Sequence, residues 1–300
     1  MTKLGNTDLD VYGLNLGGNV FGWTADEPQS FAVLDAYAAA GGNFVDTADL
    51  YGGGGRSEEI LGNWLAARGN RADVVVATKV GGWDRRPGLS AQNIQAAAED
   101  SLRRLKTDHI DLYYAHIDDT GTPLEETLSA FDALVRAGKV RHLGASNYTA
   151  ERLAEALSIS DQNGLARYAV LQPHYNLVER GYERDLAPLV EREGLATLPY
   201  FALAKGFLTG KYRTKGDVTD SPRAARAESY LDNGGERVLA VLDEVAKAHS
   251  ASVAAVAIAW LRQQPTVAAP IASARTTEQL ADLIASVSLT LTPDEVASLS

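Results

Sequence analysis

The strongest constraint on this chain is a repeat of type rather than of residues. A short apolar or β-branched run is followed by a longer segment with apolar residues at helical spacing, eight times over. The runs are LNLGG, NFVDTA, DVVVATKV, IDLYYAHI, VRHLGASN, YAVLQPH, LATLPYF and TVAAPIA. The segments after them begin near Pro28, Ser57, Ser90, Pro123, Thr149, Glu179, Gly235 and Thr276, and several of these starts carry the Ser, Thr or Pro that cap a helix or open its first turn. In the third segment Ile94, Ala98, Leu102 and Leu105 mark one face. Strict alternation implies parallel strands joined by right-handed crossovers. Eight units in about 270 residues predict an α/β fold, a single (β/α)8 TIM barrel in one domain over residues 1–300.

Two segments fall outside the repeat. Residues 3–13, KLGNTDLDVYG, predict an N-terminal β-hairpin turning at GNTD and placed to plug the barrel floor. Residues 204–236 are too long and polar for a simple connection, and predict a functional βα loop after strand seven.

With 45% hydrophobic residues in 300, the chain can bury a large core. Its net charge of −11 is spread along the sequence, which argues against nucleic acid or an anionic membrane as a partner, so an anionic ligand would need a locally basic pocket. The opening MTKLGNTDLD has no apolar core of a secretion signal, and the longest apolar run, VAAVAIAWL, is far short of about 18 residues. The absence of cysteine excludes disulfides, thiolate metal sites and cysteine nucleophiles, and the expected location is the cytoplasm. The five histidines show no paired metal-ligand spacing, so no metal is expected. Oligomeric state is not legible.

A barrel of this kind carries its chemistry at the carboxyl ends of its strands. That rule gathers Asn19 and Phe21; Asp46, Asp49 and Tyr51; Thr78 and Lys79; His116 and Asp118; Ser146 and Asn147; Gln172 and His174; Tyr200; and Ser273 with Arg275. Lys79 ends a strand buried on both faces and needs a partner, which Asp46 can supply. Three readings stand for it: a structural salt bridge, a Schiff-base nucleophile, or a cation that pulls the Tyr51 phenol from about 10 toward neutrality and makes it a proton donor. His116 can pack or hydrogen-bond a substrate oxygen. Packing explains the four together less easily than any one alone. Phe21, Trp23 and Trp83 form a candidate apolar substrate wall. The run GGGG at residues 52–55 suggests a phosphate loop, but Asp46, Asp49 and Tyr51 intervene and the next strand ends in Lys79, so it reads as a flexible turn.

The stretches FVDTADLYGGGGRSEEILG, VVVATKVG, IDLYYAHIDD, PLEETLSAFDALVRAGKVRHLGASNY, LQPHYNLVER and LAKGFLTGKY resemble, in order and spacing, the motifs of the aldo-keto reductase superfamily, and the resemblance covers essentially the whole chain. It implies an oxidoreductase that reduces a small aldehyde or ketone with NADPH, returning NADP+, with NADH as the alternative cofactor. Tyr51 is then the general acid, Lys79 and Asp46 tune it, and His116 orients the carbonyl. The resemblance places Ser146, Asn147 and Gln172 at the nicotinamide amide and Tyr200 on the nicotinamide face, with Phe201 and Leu203 following. It places Lys211 and Arg275 at the phosphates, Gln279 and Asp282 near adenine, Ser273 beside them, and Arg223 as a clamp from the long loop. Phe201 and Ala202 stand where serine and proline are common, Ser273 where glycine is usual, and Leu283 where an asparagine often contacts adenine. Rival readings are a cofactor-binding regulatory subunit similar to the potassium-channel β subunits, a Schiff-base lyase using Lys79, and a metal hydrolase around HIDD. The particular carbonyl substrate is not legible.

Overall fold

The structure is a computed structural model that describes residues 1–214, 217 and 229–300. Parallel strands β1 (Asn15–Gly17), β2 (Phe44–Asp46), β3 (Val75–Val80), β4 (Ile110–Ala115), β5 (Val140–Ser146), β6 (Tyr168–Gln172), β7 (Ala196–Thr197) and β8 (Ile271–Ala272) pair neighbour to neighbour, and β8 returns to β1. The seam between β7 and β8 is closed by a parallel bridge from Thr197 to Val267, with Ala268 N bonded to Thr197 O at 3.0 Å and Ile271 N to Pro199 O at 2.8 Å. The expected (β/α)8 barrel is the observed architecture.

Helices α1 (Glu27–Ala39), α2 (Arg56–Arg68), α3 (Ala91–Leu105), α4 (Leu124–Arg136), α5 (Ala150–Asn163) and α6 (Tyr182–Glu193) follow the first six strands. Their starts obey the capping logic. Asp26 and Gln29 form a reciprocal capping box on α1, and Ser90 and Thr149 accept from the third amide of α3 and α5. One departure from strict alternation lies between β7 and β8, where two helices, α7 (Glu236–His249) and α8 (Val253–Arg262), occur. The run VAAVAIAWL is α8. It is apolar all round because α7 and the following helix α9 (Thr277–Ser288) pack on either side of it. A final helix, α10 (Pro293–Leu299), opens on a second capping box, Thr292 with Glu295. Of the long loop expected over 204–236, residues 215–216 and 218–228 lie outside the described residues.

At the barrel's other end Thr2–Lys3 pairs antiparallel with Asp10–Val11. Leu4, Leu9 and Val11 of this hairpin join one buried cluster with Phe44, Val75, Ala77, Leu112, Tyr114, Val170, Ala196 and Leu198. That cluster is the barrel interior, and the hairpin plugs its floor. The opposite set of strand residues, Val45, Val76, Val80, Tyr113, Ala115, Leu143 and Leu171, belongs to the outer cluster shared with the helices.

This two-residue alternation positions the chemistry. Phe44 points inward, so Asp46 does. Val75 and Ala77 are followed on the same face by Lys79; Leu112 and Tyr114 by His116; Val170 by Gln172; Ala196 and Leu198 by Tyr200. Each inward row rises from apolar residues over the hairpin to a polar residue at the mouth. Gly144 lies in the same layer as Tyr114, and a Cβ there would come within 2.4 Å of the Tyr114 ring, so the glycine makes room for the tyrosine that fills the barrel below Lys79.

Candidate active site

Lys79 sits at the centre of the mouth with no exposed surface. Its ammonium donates to Asp46 Oδ2 at 2.5 Å and to the Thr47 carbonyl at 2.6 Å, and lies 4.9 Å from the centre of the Tyr51 ring. Gln172 Nε2 donates to the other oxygen of Asp46 at 3.0 Å. A buried ion pair survives only when its remaining lone pairs and protons are engaged, and here they are. Burial opposes the charge on Lys79, but Asp46 and Tyr51 outweigh it and hold the ammonium above its ordinary pKa. Burial lifts the Asp46 carboxyl, against the pull of Lys79 and Gln172.

Tyr51 corrects one expectation. Its phenol lies above, not below, its ordinary pKa, because burial raises it more than Lys79 lowers it, and Asp46 raises it further. At neutral pH the phenol is therefore fully protonated, with its proton available to donate. Its ring packs edge-on to His116, centres 6.1 Å apart at 83°. Burial, then the repulsion of Lys79, depresses His116 to about 3, so the imidazole is neutral and can offer a single N–H.

The backbone between Tyr51 and α2 explains the glycines. Gly52, Gly53, Gly54 and Gly55 have φ of 71°, 87°, 116° and 92°, a left-handed course that side chains rarely adopt. A Cβ at Gly54 would come within 2.8 Å of Trp83, and one at Gly55 within 2.3 Å of the Arg104 guanidinium. The run is thus a sterically required turn between Tyr51 and α2 rather than merely a flexible one.

A cleft of about 820 Å³ opens over Tyr51, His116 and Asp46. Ser146, Asn147, Gln172 and Tyr200 line it beside those three residues. Asn147 bridges its neighbours, donating to the His116 carbonyl at 2.8 Å and accepting from the Tyr200 hydroxyl at 2.8 Å. His174 stacks on Tyr200, ring centres 5.2 Å apart. From there the cleft runs past Phe201, Ala202 and Leu203 to Lys211, and past Ser273 to Arg275, Gln279, Asp282 and Leu283. Phe201, where serine is common, takes a left-handed φ of 52° and presents its carbonyl to Asn176 at 2.9 Å.

Asp46, Tyr51, His116 and every expected cofactor residue described therefore share one cleft, with Lys79 buried against Asp46 and the Tyr51 ring rather than in its lining. Arg223 lies outside the described residues. Of the expected substrate wall only Trp23, 62% exposed, borders the cleft. Phe21 is fully buried and turns into the outer core, and Trp83 covers the glycine turn at Gly54. Residues not expected from sequence also line the cleft: Lys205 and Thr209 after β7, and Ser252 and Ala254 at the start of α8. Ser252 before an apolar run is a cap signal that marks this helix start, and a helix amino terminus favours anions. The acids of HIDD are committed elsewhere: Asp118 accepts from Arg152 at 2.9 Å, and Asp119 from Leu89 N and Thr122 Oγ1, both at 2.7 Å.

A flat amide-bearing ring fits the Asn147, Gln172 and Tyr200 end. Lys211 and Arg275 make no ion pair with an acid among the described residues, and so suit phosphate groups at the other end. A phenol set against a buried lysine, a neutral histidine and an elongated cleft ending in cations are an arrangement that suits a barrel oxidoreductase.

The comparisons agree. A profile of the aldo/keto reductase family matches residues 13–300. Protein tas of Escherichia coli is 33% identical over 330 aligned positions, covering 99% of this chain and 95% of that protein. The uncharacterized oxidoreductase YrpG of Bacillus subtilis is 36% identical, covering 97% of this chain and 91% of its own length. An aryl-alcohol dehydrogenase [NADP(+)] of Phanerodontia chrysosporium is 33% identical, covering 92% of this chain and 76% of its own. The chain belongs to the aldo/keto reductase family. Among the described residues no helix is long and apolar enough to cross a membrane.

Proposed function

We propose that this chain reduces an aldehyde or ketone to the alcohol, using NADPH, with Tyr51 as the proton donor. The observation that carries the reading is the buried Lys79–Asp46 pair placed against the Tyr51 ring at the floor of the cleft. Ser146, Asn147, Gln172 and Tyr200 would hold the nicotinamide end, and Lys211 and Arg275 the phosphates. The bound dihydronicotinamide would supply the hydride to the carbonyl carbon.

The chain's own residues do the rest. As the C–H bond forms and the C=O π electrons move to oxygen, the phenol proton of Tyr51 passes to that oxygen and closes the O–H bond of the product. Neutral His116 donates a hydrogen bond to the same oxygen and fixes the carbonyl's direction. The Lys79 ammonium stabilises the phenolate left on Tyr51, and Asp46, held by Gln172, keeps Lys79 charged and in place. Phe201 and Trp23, both exposed at the cleft, would meet the substrate's apolar part.

The reading is tested with a panel of aromatic and aliphatic carbonyls followed by cofactor absorbance, with NADPH and NADH run side by side. Turnover with none, while the cofactor binds tightly, would favour the regulatory-subunit reading. If Arg275 grips the adenosine 2′-phosphate, Arg275→Ala weakens NADPH binding by about 10- to 100-fold, the scale of one charge-assisted contact, and leaves NADH within about twofold. Fluorescence titration of both cofactors measures this, and an equal loss for the two would contradict it.

A further inference from the structure

Two residues before Tyr51, Asp49 is fully buried, lies outside the cleft lining, and has no hydrogen-bond partner among the described residues on either carboxylate oxygen. Its backbone N–H bonds to the Lys79 carbonyl at 3.3 Å, tying the Tyr51 loop to the strand that carries the lysine. The charged and titratable groups that face its carboxyl come from the surrounding elements: Glu58 on α2, Arg104 on α3, Lys79 on β3, Tyr113 on β4, and Arg86 in the short strand Arg86–Pro87. Glu58 is already engaged, accepting from Thr78 Oγ1 at 2.5 Å and Arg104 Nε at 2.6 Å. Arg86 uses Nη1 on Asp100 at 2.9 Å, which leaves its Nε and Nη2 buried and unpaired, as is the Tyr113 hydroxyl. An unpaired carboxylate, an unpaired guanidinium edge and an unpaired phenol are thus within electrostatic reach of one another, the carboxylate two residues from the proton donor. Each is a cost to folding that packing alone gives no reason to keep.

We propose that Asp49 is a positioning residue for the proton donor, resting on the role proposed for Tyr51: its buried charge sets the pH at which Tyr51 gives up its proton. Burial, then Glu58, lifts the Asp49 carboxyl to about 7, against Arg104, Arg86 and Lys79, so its charge changes near neutrality. Ionised Asp49 raises the Tyr51 phenol and keeps it protonated, which serves reduction. Across the alkaline range where Tyr51 loses its proton Asp49 is ionised, so removing its charge by substitution lets the phenolate, the base needed for alcohol oxidation, form at lower pH.

The pH dependence of alcohol oxidation with NADP+ tests this. In Asp49→Asn the alkaline midpoint assigned to Tyr51 moves toward acid by up to about one unit, the scale of one unpaired carboxylate acting at intermediate dielectric, and Asp49→Glu restores it. Superimposable profiles for wild type and Asp49→Asn would overturn the proposal. The carboxyl itself is read by 13C NMR of aspartate-labelled, cofactor-free protein, which needs no Asp49 variant. One resonance titrates near neutrality, and its midpoint rises in Arg86→Met, where a facing cation is lost. Absence of such a resonance would overturn the proposal whatever the turnover. Failure of the Tyr51 assignment is separable, because turnover by Tyr51→Phe decides it.

Discussion

Tyr51→Phe lowers carbonyl reduction by about 100- to 10,000-fold, the range supplied by a positioned proton donor, while NADPH binding stays within about twofold. The substitution removes one oxygen. The ring remains to pack edge-on to His116 and over the Lys79 ammonium, so the mouth keeps its shape. The loss should appear in kcat and kcat/KM alike, because the proton is needed only as charge develops on the carbonyl oxygen. Steady-state kinetics beside a cofactor fluorescence titration separate the two effects. Turnover within a few-fold of wild type would remove Tyr51 from the chemistry.

Lys79→Met damages both activity and stability. It strips the partner from a carboxylate that is 2% exposed and, among the described residues, accepts otherwise only from Gln172. Breaking a buried pair by removing one member costs about 3–5 kcal/mol. Asp46 can evade part of that cost by taking a proton, since burial already lifts its carboxyl. The folded variant then binds a proton that the unfolded chain, with an ordinary carboxyl near 4, has released, so stability falls as pH rises above that value. Urea unfolding at pH 5 and pH 8 checks the sign: the variant lies nearer to wild type at pH 5. A deficit that does not change with pH would show that Asp46 stays charged without its lysine.

The barrel and its mouth are legible in the sequence because period-two strands and eight alternating units leave little freedom. Once Phe44, Ala77 and Leu112 face inward, Asp46, Lys79 and His116 must converge. Sequence misleads where it shows neighbours but not depth. Phe21 follows a strand as a substrate residue would, yet its side chain turns into the outer core. Trp83 lies past a strand end, but the absence of a side chain at Gly54 draws it over the glycine turn. For Tyr51 the sequence exposes the lysine that lowers its pKa and hides the burial that raises it more. The helix α8 escapes a pattern-based reading because VAAVAIAWL, packed on both sides, lacks the one-faced pattern of its neighbours. The Asp49 cluster is invisible in sequence for a related reason. Glu58, Arg86, Arg104 and Tyr113 lie far apart along the chain, and only the packed barrel sets them around one carboxyl.

The most direct test of the central claim follows the hydride itself. NADPH deuterated on the transferring face of its nicotinamide is incubated with wild-type protein and a carbonyl that the panel shows to be consumed, and the alcohol is weighed by mass spectrometry. Hydride transfer to the carbonyl carbon, with the proton from Tyr51, predicts one deuterium on the carbinol carbon per cofactor oxidised, a product that Tyr51→Phe scarcely forms. An alcohol without deuterium, or cofactor that stays bound and reduced beside every carbonyl offered, would contradict it.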